Sequence, residues 1–221
     1  MKTAVFIDID HTLINGESQK LLAIYLFKQG KLNWFFVLRT LFWYFFYKLG
    51  ITANRESVVA RTKRSYKLVN GWKVSDFDEL LDDFFVKELK SIISTRARET
   101  IQKHQNTGNE VILLSGSMDF FAKRLAKELD IKFYVANVLE EENGIYTGEL
   151  KEPFIWGITK IDAAKKISAE NNWDFKNSYV YTDHYSDITL LESVAHPNVV
   201  NPKREMIVEA KKRKWPILEW E

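Results

Sequence analysis

The chain has 221 residues and no cysteine, which is long enough to bury one good core plus a small accessory domain and excludes disulfides, thiolate catalysis and cysteine-ligated metal. Its 32 Lys and Arg against 30 Asp and Glu leave a net charge of +2, which by itself singles out no partner. A cysteine-free chain fits a reducing cytoplasm, and Met1-Lys2-Thr3 runs into a strand bearing acids without a signal-peptide core, so export is not expected.

The first predicted strand covers 3–7, with Ala4-Val5-Phe6-Ile7 leading into Asp8-Ile9-Asp10-His11-Thr12. Two carboxylates one residue apart at a strand's end point the same way. That suits one to attack phosphorus while the other handles the leaving group's proton. Taken alone, the pair reads equally as a solvated turn or a helix cap.

Residues 14 to about 94 follow, without proline and with few glycines. They read as helices at roughly 17–29, 32–49, 54–69 and 75–93, and so large a stretch is too long for a loop in a compact domain. Between 15 and 73 lie eleven Lys/Arg against two Glu, a segment charge of +9, so an anionic partner is expected at this face. No nucleic-acid motif accompanies the charge.

The run from Leu32 to Leu49 is rich in aromatic residues and apolar on nearly all sides. As a helix it would span roughly 27 Å at ~1.5 Å per residue, close to a bilayer core of ~30 Å, but Arg39 sits near its middle and opposes full insertion. Two readings stay open. It is a cap helix buried against its neighbours or a dimer mate, or it lies in a membrane interface with Lys28, Lys31, Arg39, Lys48 and Arg55 facing anionic lipid.

Further along, helices are predicted at about 95–106, 118–129, 160–171 and 186–194, and strands at 110–115, 132–136, 178–182 and 197–200. Alternating strands and helices predict an α/β fold with a parallel, doubly wound sheet, whose ligand crevice lies at the strands' carboxyl ends. Chemistry-bearing residues gather there: Ser115-Gly116 after the second strand, Lys160 in Gly157-Ile158-Thr159-Lys160 ahead of an amphipathic helix, and Asp183 and Asp187 after Tyr179-Val180-Tyr181-Thr182. Each has a plainer reading, Ser115 as a helix cap, Lys160 as a solvated helix residue, and the two acids as a helix start.

Taken in order, the four motifs resemble the haloacid dehalogenase superfamily of phosphohydrolases, and within it the subclass that includes phosphoserine phosphatases. The likeness extends to a hairpin at Asn143-Gly144-Ile145-Tyr146-Thr147-Gly148 and to the tail from Leu190 to Trp220. It implies a Rossmann-like catalytic core of residues 1–13 and 95–221 and a helical cap of 14–94. It also implies Asp8 as nucleophile through an aspartyl-phosphate, Asp10 as general acid then base, and Lys160, Ser115 and the Gly116 amide as phosphate-binding groups. Mg2+ is implied as cofactor, held by the Asp8 carboxylate, the Asp10 backbone carbonyl and Asp183, with Asp187 bracing the metal shell or Lys160.

By the same likeness, Glu17 matches a carboxylate that binds the amine of phosphoserine, and Arg64 roughly matches the arginine for its carboxylate. The aromatic segment has no counterpart there, and His11 stands where many relatives carry glycine or another small residue. The expected substrate is therefore a phosphomonoester, either a phosphoserine-like small metabolite or a lipid phosphate. The setting is expected to be cytoplasmic, with peripheral association at anionic membrane as one reading and no nucleic-acid partner. A receiver-type signalling domain also uses aspartates, a hydroxyl and a lysine on a doubly wound sheet. Its phosphorylated aspartate, however, follows a middle strand, with no large helical insertion after the first.

Overall fold

Apolar residues at consecutive positions of the central strands demand cover on both faces of a sheet. The computed structural model, which describes residues 2–32 and 66–220, provides it. Its strands are β1 (Lys2–Ile7), β2 (Glu110–Met118), β3 (Phe133–Asn137), β4 (Leu139–Glu142), β5 (Ile145–Leu150), β6 (Trp173–Thr182), β7 (His196–Val200) and β8 (Ile217–Leu218). Six of them form one sheet in the order β3-β2-β1-β6-β7-β8, every neighbouring pair parallel, while β4 and β5 pair antiparallel. The helices are α1 (Ser18–Lys28), α2 (Val74–Phe84), α3 (Thr95–Asn106), α4 (Asp119–Glu128), α5 (Thr159–Glu170), α6 (Ile188–Glu192) and α7 (Arg204–Arg213).

The period of two along each strand divides the core. Val5, Ile7, Val111, Leu113 and Tyr181 face a cluster completed by Leu22 and Tyr25 of α1, Phe77, Leu81 and Phe84 of α2, Ile101 of α3, and Phe121 and Leu125 of α4. Ala4, Phe6, Ile112, Leu114 and Val180 face a second cluster with Ala164 of α5, Leu190 and Leu191 of α6, and Met206 and Ala210 of α7. Helices on both faces of a parallel sheet make the doubly wound α/β fold expected from the sequence.

Some boundaries differ from expectation. The predicted helix at 75–93 is regular only to Phe84, and continues as a π-turn at Phe85–Leu89 and a 3-10 turn at Lys90–Ile92. The predicted 186–194 helix opens with a 3-10 turn at Tyr185–Asp187. Strand β2 runs on to Met118 because it bulges: Leu114 pairs with Val135 and Met118 with Asn137. Two extra residues on one strand lift Ser115, Gly116 and Ser117 out of the ladder. Apart from Leu32, the expected aromatic helix lies outside the described residues, as do Arg64 and the 54–69 segment up to residue 65. Among the described residues no helix is long and apolar enough to cross a membrane.

The hairpin ties the insertion to the sheet domain. Asn143 and Gly144 both have positive φ, 52° and 75°, which matches the right-handed strand twist in a two-residue turn. Segment 71–74 then lies along β5: Gly71 N donates to Tyr146 O at 2.9 Å, Tyr146 N to Trp72 O at 3.0 Å and Val74 N to Gly144 O at 2.9 Å. At Gly148, with φ 76°, a Cβ would stand 3.0 Å from Lys67 Cα and 3.2 Å from Tyr66 O, whereas one at Gly144 would meet nothing within 4 Å.

Both Gly→Ala changes should cost about 1 kcal/mol for a left-handed backbone. Gly148→Ala should cost about 1–2 kcal/mol more, because its new methyl meets backbone that cannot step aside. Urea denaturation of the two variants measures the difference; equal losses would mean that residues 66–70 do not rest on β5.

Candidate active site

The chain leaves β1 through a tight turn that aims Asp8 and Asp10 into the crevice. Leu13 N donates to Asp8 O at 3.2 Å and Ile14 N to Ile9 O at 3.0 Å, while His11 N donates to Gly16 O at 3.1 Å. His11 takes φ 58°, a left-handed position that glycine would occupy without strain. Asn201, at the end of β7, donates from Nδ2 to His11 O at 3.2 Å, and its Oδ1 accepts from Trp220 N at 2.8 Å. Trp220 stacks on Tyr181 at 5.1 Å between ring centroids. The tail thus braces the turn that carries the acids.

At the base of the crevice the Lys160 ammonium donates to Asp8 Oδ2 at 2.9 Å and to Asp187 Oδ2 at 2.6 Å. All three side chains are buried. Burial opposes the charge, but Asp187 and Asp8 outweigh it and hold the Lys160 pKa above its ordinary value. Thr182 donates to the same Asp187 oxygen at 2.8 Å, and Asp8 Oδ1 accepts from Ile9 N at 2.8 Å. The other Asp187 oxygen, Oδ1, accepts from Ser186 Oγ at 3.2 Å.

Asp10 has a different environment. Its Oδ1 accepts from Ser18 N at 2.7 Å, so the carboxylate supplies the N-terminal cap of α1, where free amides favour negative charge. Burial dominates all the same, and pushes the Asp10 carboxyl up to about 6. A carboxyl near that value can give up a proton and take one back close to neutral pH.

Ser115 is buried in the β2 bulge, and its Oγ accepts from Ser117 N at 3.2 Å. Neighbouring residues that sequence reasoning missed hold this bulge in place. Asn137 donates from Nδ2 to Gly116 O at 2.7 Å and to Ile155 O at 3.1 Å, and accepts from Ile155 N at 2.8 Å. Ser117 Oγ lies 2.8 Å from Ser18 Oγ, joining the bulge to the start of α1. A Cβ on Gly116 would come 3.2 Å from Ile155 O, a tight approach of backbone that glycine leaves free. The signal in the sequence was the second hydroxyl in Ser115-Gly116-Ser117; Asn137 carried none.

Asp8, Asp10, Ser115, Gly116, Lys160, Asp183 and Asp187 therefore gather at one end of the parallel strands. Glu17 reaches the rim, but its Oε1 lies 3.3 Å from His11 Nε2. That hydrogen bond is the main cause holding the Glu17 carboxyl below its ordinary range and the His11 imidazole above its own. Arg64 is outside the described residues.

Among the described residues no three His, Cys, Asp or Glu side chains form a metal-holding group. A site of two carboxylates and one backbone carbonyl is a different kind, and the residues fit it. Asp183 is buried, with no hydrogen bond to its carboxylate among the described residues, and burial followed by the Asp8 charge pushes its carboxyl up to about 7. Hard oxygens from Asp8, Asp183 and the Asp10 carbonyl suit a small divalent ion.

Both raised acids bind protons more tightly folded than unfolded. The stability they contribute is complete below the ordinary value of 3.8 and is lost as pH rises through about 6 for Asp10 and about 7 for Asp183. Asp183→Asn should therefore stabilise the metal-free protein at pH 8 by on the order of 2 kcal/mol and leave it unchanged near pH 4. Denaturant melts in chelator at both pH values check this, and a variant less stable at pH 8 would contradict it.

The family model for haloacid dehalogenase-like hydrolase matches residues 5–192. The chain is 30% identical over 220 residues, 99% of its length and 79% of the relative's, to an inhibition of morphological differentiation protein of Streptomyces azureus. It is 24% identical to a phosphoserine phosphatase of Mycobacterium tuberculosis, covering 98% of the chain and 70% of the relative, and 27% identical to a histidinol-phosphatase of Neisseria meningitidis, covering 99% of each. Among solved structures, a Bordetella pertussis protein of unknown function superposes with a TM-score of 0.89 at 19% identity over 100% of both chains. A phospho-aspartyl intermediate analogue of phosphoserine phosphatase does so with 0.64 at 19%, over 100% of this chain and 94% of that one. With the sheet order, the acid turn after β1 and a family match spanning most of the chain, the protein belongs to the haloacid dehalogenase-like hydrolases, as a phosphatase similar to the phosphoserine phosphatases.

Proposed function

We propose that this phosphatase hydrolyses a phosphomonoester in two steps through an aspartyl-phosphate on Asp8, with residues 1–13 and 95–221 as catalytic core and 14–94 as cap. The observation that carries the reading is the Lys160 ammonium held between Asp8 at 2.9 Å and Asp187 at 2.6 Å. A fixed cation against the nucleophile screens two anions from each other as the phosphoryl group approaches, and it stabilises charge on the peripheral oxygens at no cost in reorganisation. Asp187 and Thr182 keep Lys160 in place for this.

Attack by Asp8 breaks the ester bond to phosphorus, and Asp10 delivers its proton to the departing alkoxide. Asp10 is then a carboxylate that takes a proton from the water attacking the aspartyl-phosphate, which frees inorganic phosphate and restores Asp8. Its value near 6 supports both halves of that duty. Ser115 and the Gly116 amide hold the phosphoryl oxygens. Asp8, Asp183 and the Asp10 carbonyl would hold magnesium, which supplies Lewis-acid neutralisation of phosphoryl charge when bound.

The substrate is a small phosphomonoester or a lipid phosphate. Two of the relatives are named as a phosphoserine phosphatase and a histidinol-phosphatase, and the hydrogen bond from His11 to Glu17 weighs against an ammonium group as the partner of Glu17.

Asp8→Asn should abolish hydrolysis of an aryl phosphate in magnesium without loss of fold. Near-wild-type turnover by that variant would rule out Asp8 as nucleophile. Asp10→Asn should keep phosphate affinity but lose about 10²–10⁴ in kcat, more for alkyl than for nitrophenyl esters, since poor leaving groups need the proton. Equal losses for both would remove the acid role from Asp10.

A further inference from the structure

Within the described residues of the 14–94 insertion, the Tyr66 hydroxyl is the only buried side-chain polar atom with no hydrogen-bond partner. Tyr66 is 8% exposed and packs in the same apolar cluster as Ile9, Leu13 and Phe120. A buried donor left unpaired is destabilising, and such a group in a native structure calls for an explanation, a functional role among them.

The surroundings say which side of the crevice it serves. The backbone of residues 66–70 rests on β5, with Tyr66 O and Lys67 Cα hard against Gly148, so the ring is anchored to the domain that carries the acids. The negative charges that act on its hydroxyl are those of Asp10, at the end of β1, and Asp119, just past the β2 bulge. Burial first, then those two charges, keep the hydroxyl protonated, so it can donate. Asp10 is the group proposed to protonate the departing oxygen, so a donor within its field is suited to the leaving-group half of the substrate. On the same rim Glu17 is already engaged by His11 at 3.3 Å.

We propose that Tyr66 is a substrate-binding residue whose hydroxyl donates a hydrogen bond to an oxygen of the leaving group, so that the site selects phosphomonoesters bearing a hydroxyl or carboxylate beyond the ester bond. This rests on the phosphatase reading. It turns on the insertion's own side chain, and it gives the specificity to an oxygen acceptor instead of an ammonium group.

Tyr66→Phe tests it. The probes are phenyl phosphate, which has no oxygen beyond the ester bond, and glycerol phosphate and phosphoserine, which have. The variant should lose about tenfold in kcat/KM on at least one of the oxygen-bearing esters, through KM, and less than twofold on phenyl phosphate. Its melting temperature should be equal or higher, because an unpaired buried hydroxyl has gone. An equal change on all three esters, no change on any, or a fall in melting temperature would overturn the assignment. Wild-type protein that turns over none of the three in magnesium would instead sink the phosphatase reading, and the role of Tyr66 with it.

Discussion

One buried cation organises the catalytic end of this molecule. Asp8, Asp10, Asp183 and Asp187 converge at the ends of β1 and β6, and Lys160 is the ammonium hydrogen-bonded to two of them. Four carboxylates buried this closely disfavour one another's charge. The consequence is an uneven division of charge. Asp187 and Asp8 share the ammonium, while burial above all raises the carboxyls of Asp10 and Asp183, which make no hydrogen bond to it, to about 6 and about 7. The raised pair are the group proposed for proton transfer and one of the groups proposed to hold a divalent ion.

The scaffold exists to keep that arrangement in register. Parallel pairing of β1 with β6, Ile7 against Tyr181, puts the two acidic turns side by side. The β2 bulge raises Ser115 and Gly116 next to them, and the Asn137 side chain pins the bulge to Ile155, shortly before α5 begins with Thr159 and Lys160. The insertion joins in through Asp10 itself, whose carboxylate caps α1, and through segment 71–74 laid along β5. Movement of α1 would therefore alter the electrostatics of the proposed acid directly.

Much of this was legible in the sequence because strand ends in a doubly wound sheet are marked twice, by a buried apolar run and by the polar residue that stops it. Ala4–Ile7 before Asp8 and Val111–Leu114 before Ser115 show both marks. What escaped had only one mark or none. Helix α7 buries only Met206 and Ala210 of its ten residues, too sparse an apolar pattern among its charges. Strand β8 is two residues long. The pairing of His11 with Glu17 depends on a turn closed by backbone bonds, and the three bonds of Asn137 join segments 18 and 21 residues apart. No local period records such contacts. The aromatic stretch of the sequence, beyond Leu32, lies outside the described residues.

The central claim is that the phosphoryl group passes through Asp8. It is tested most directly by acid quenching during turnover, borohydride reduction of any acyl phosphate, and mass mapping of the peptide spanning β1 and its acid turn. The account requires homoserine at position 8 and unaltered aspartate at 10, 183 and 187. Homoserine at another of these positions, or none at any of them while phosphate is being released, would contradict it.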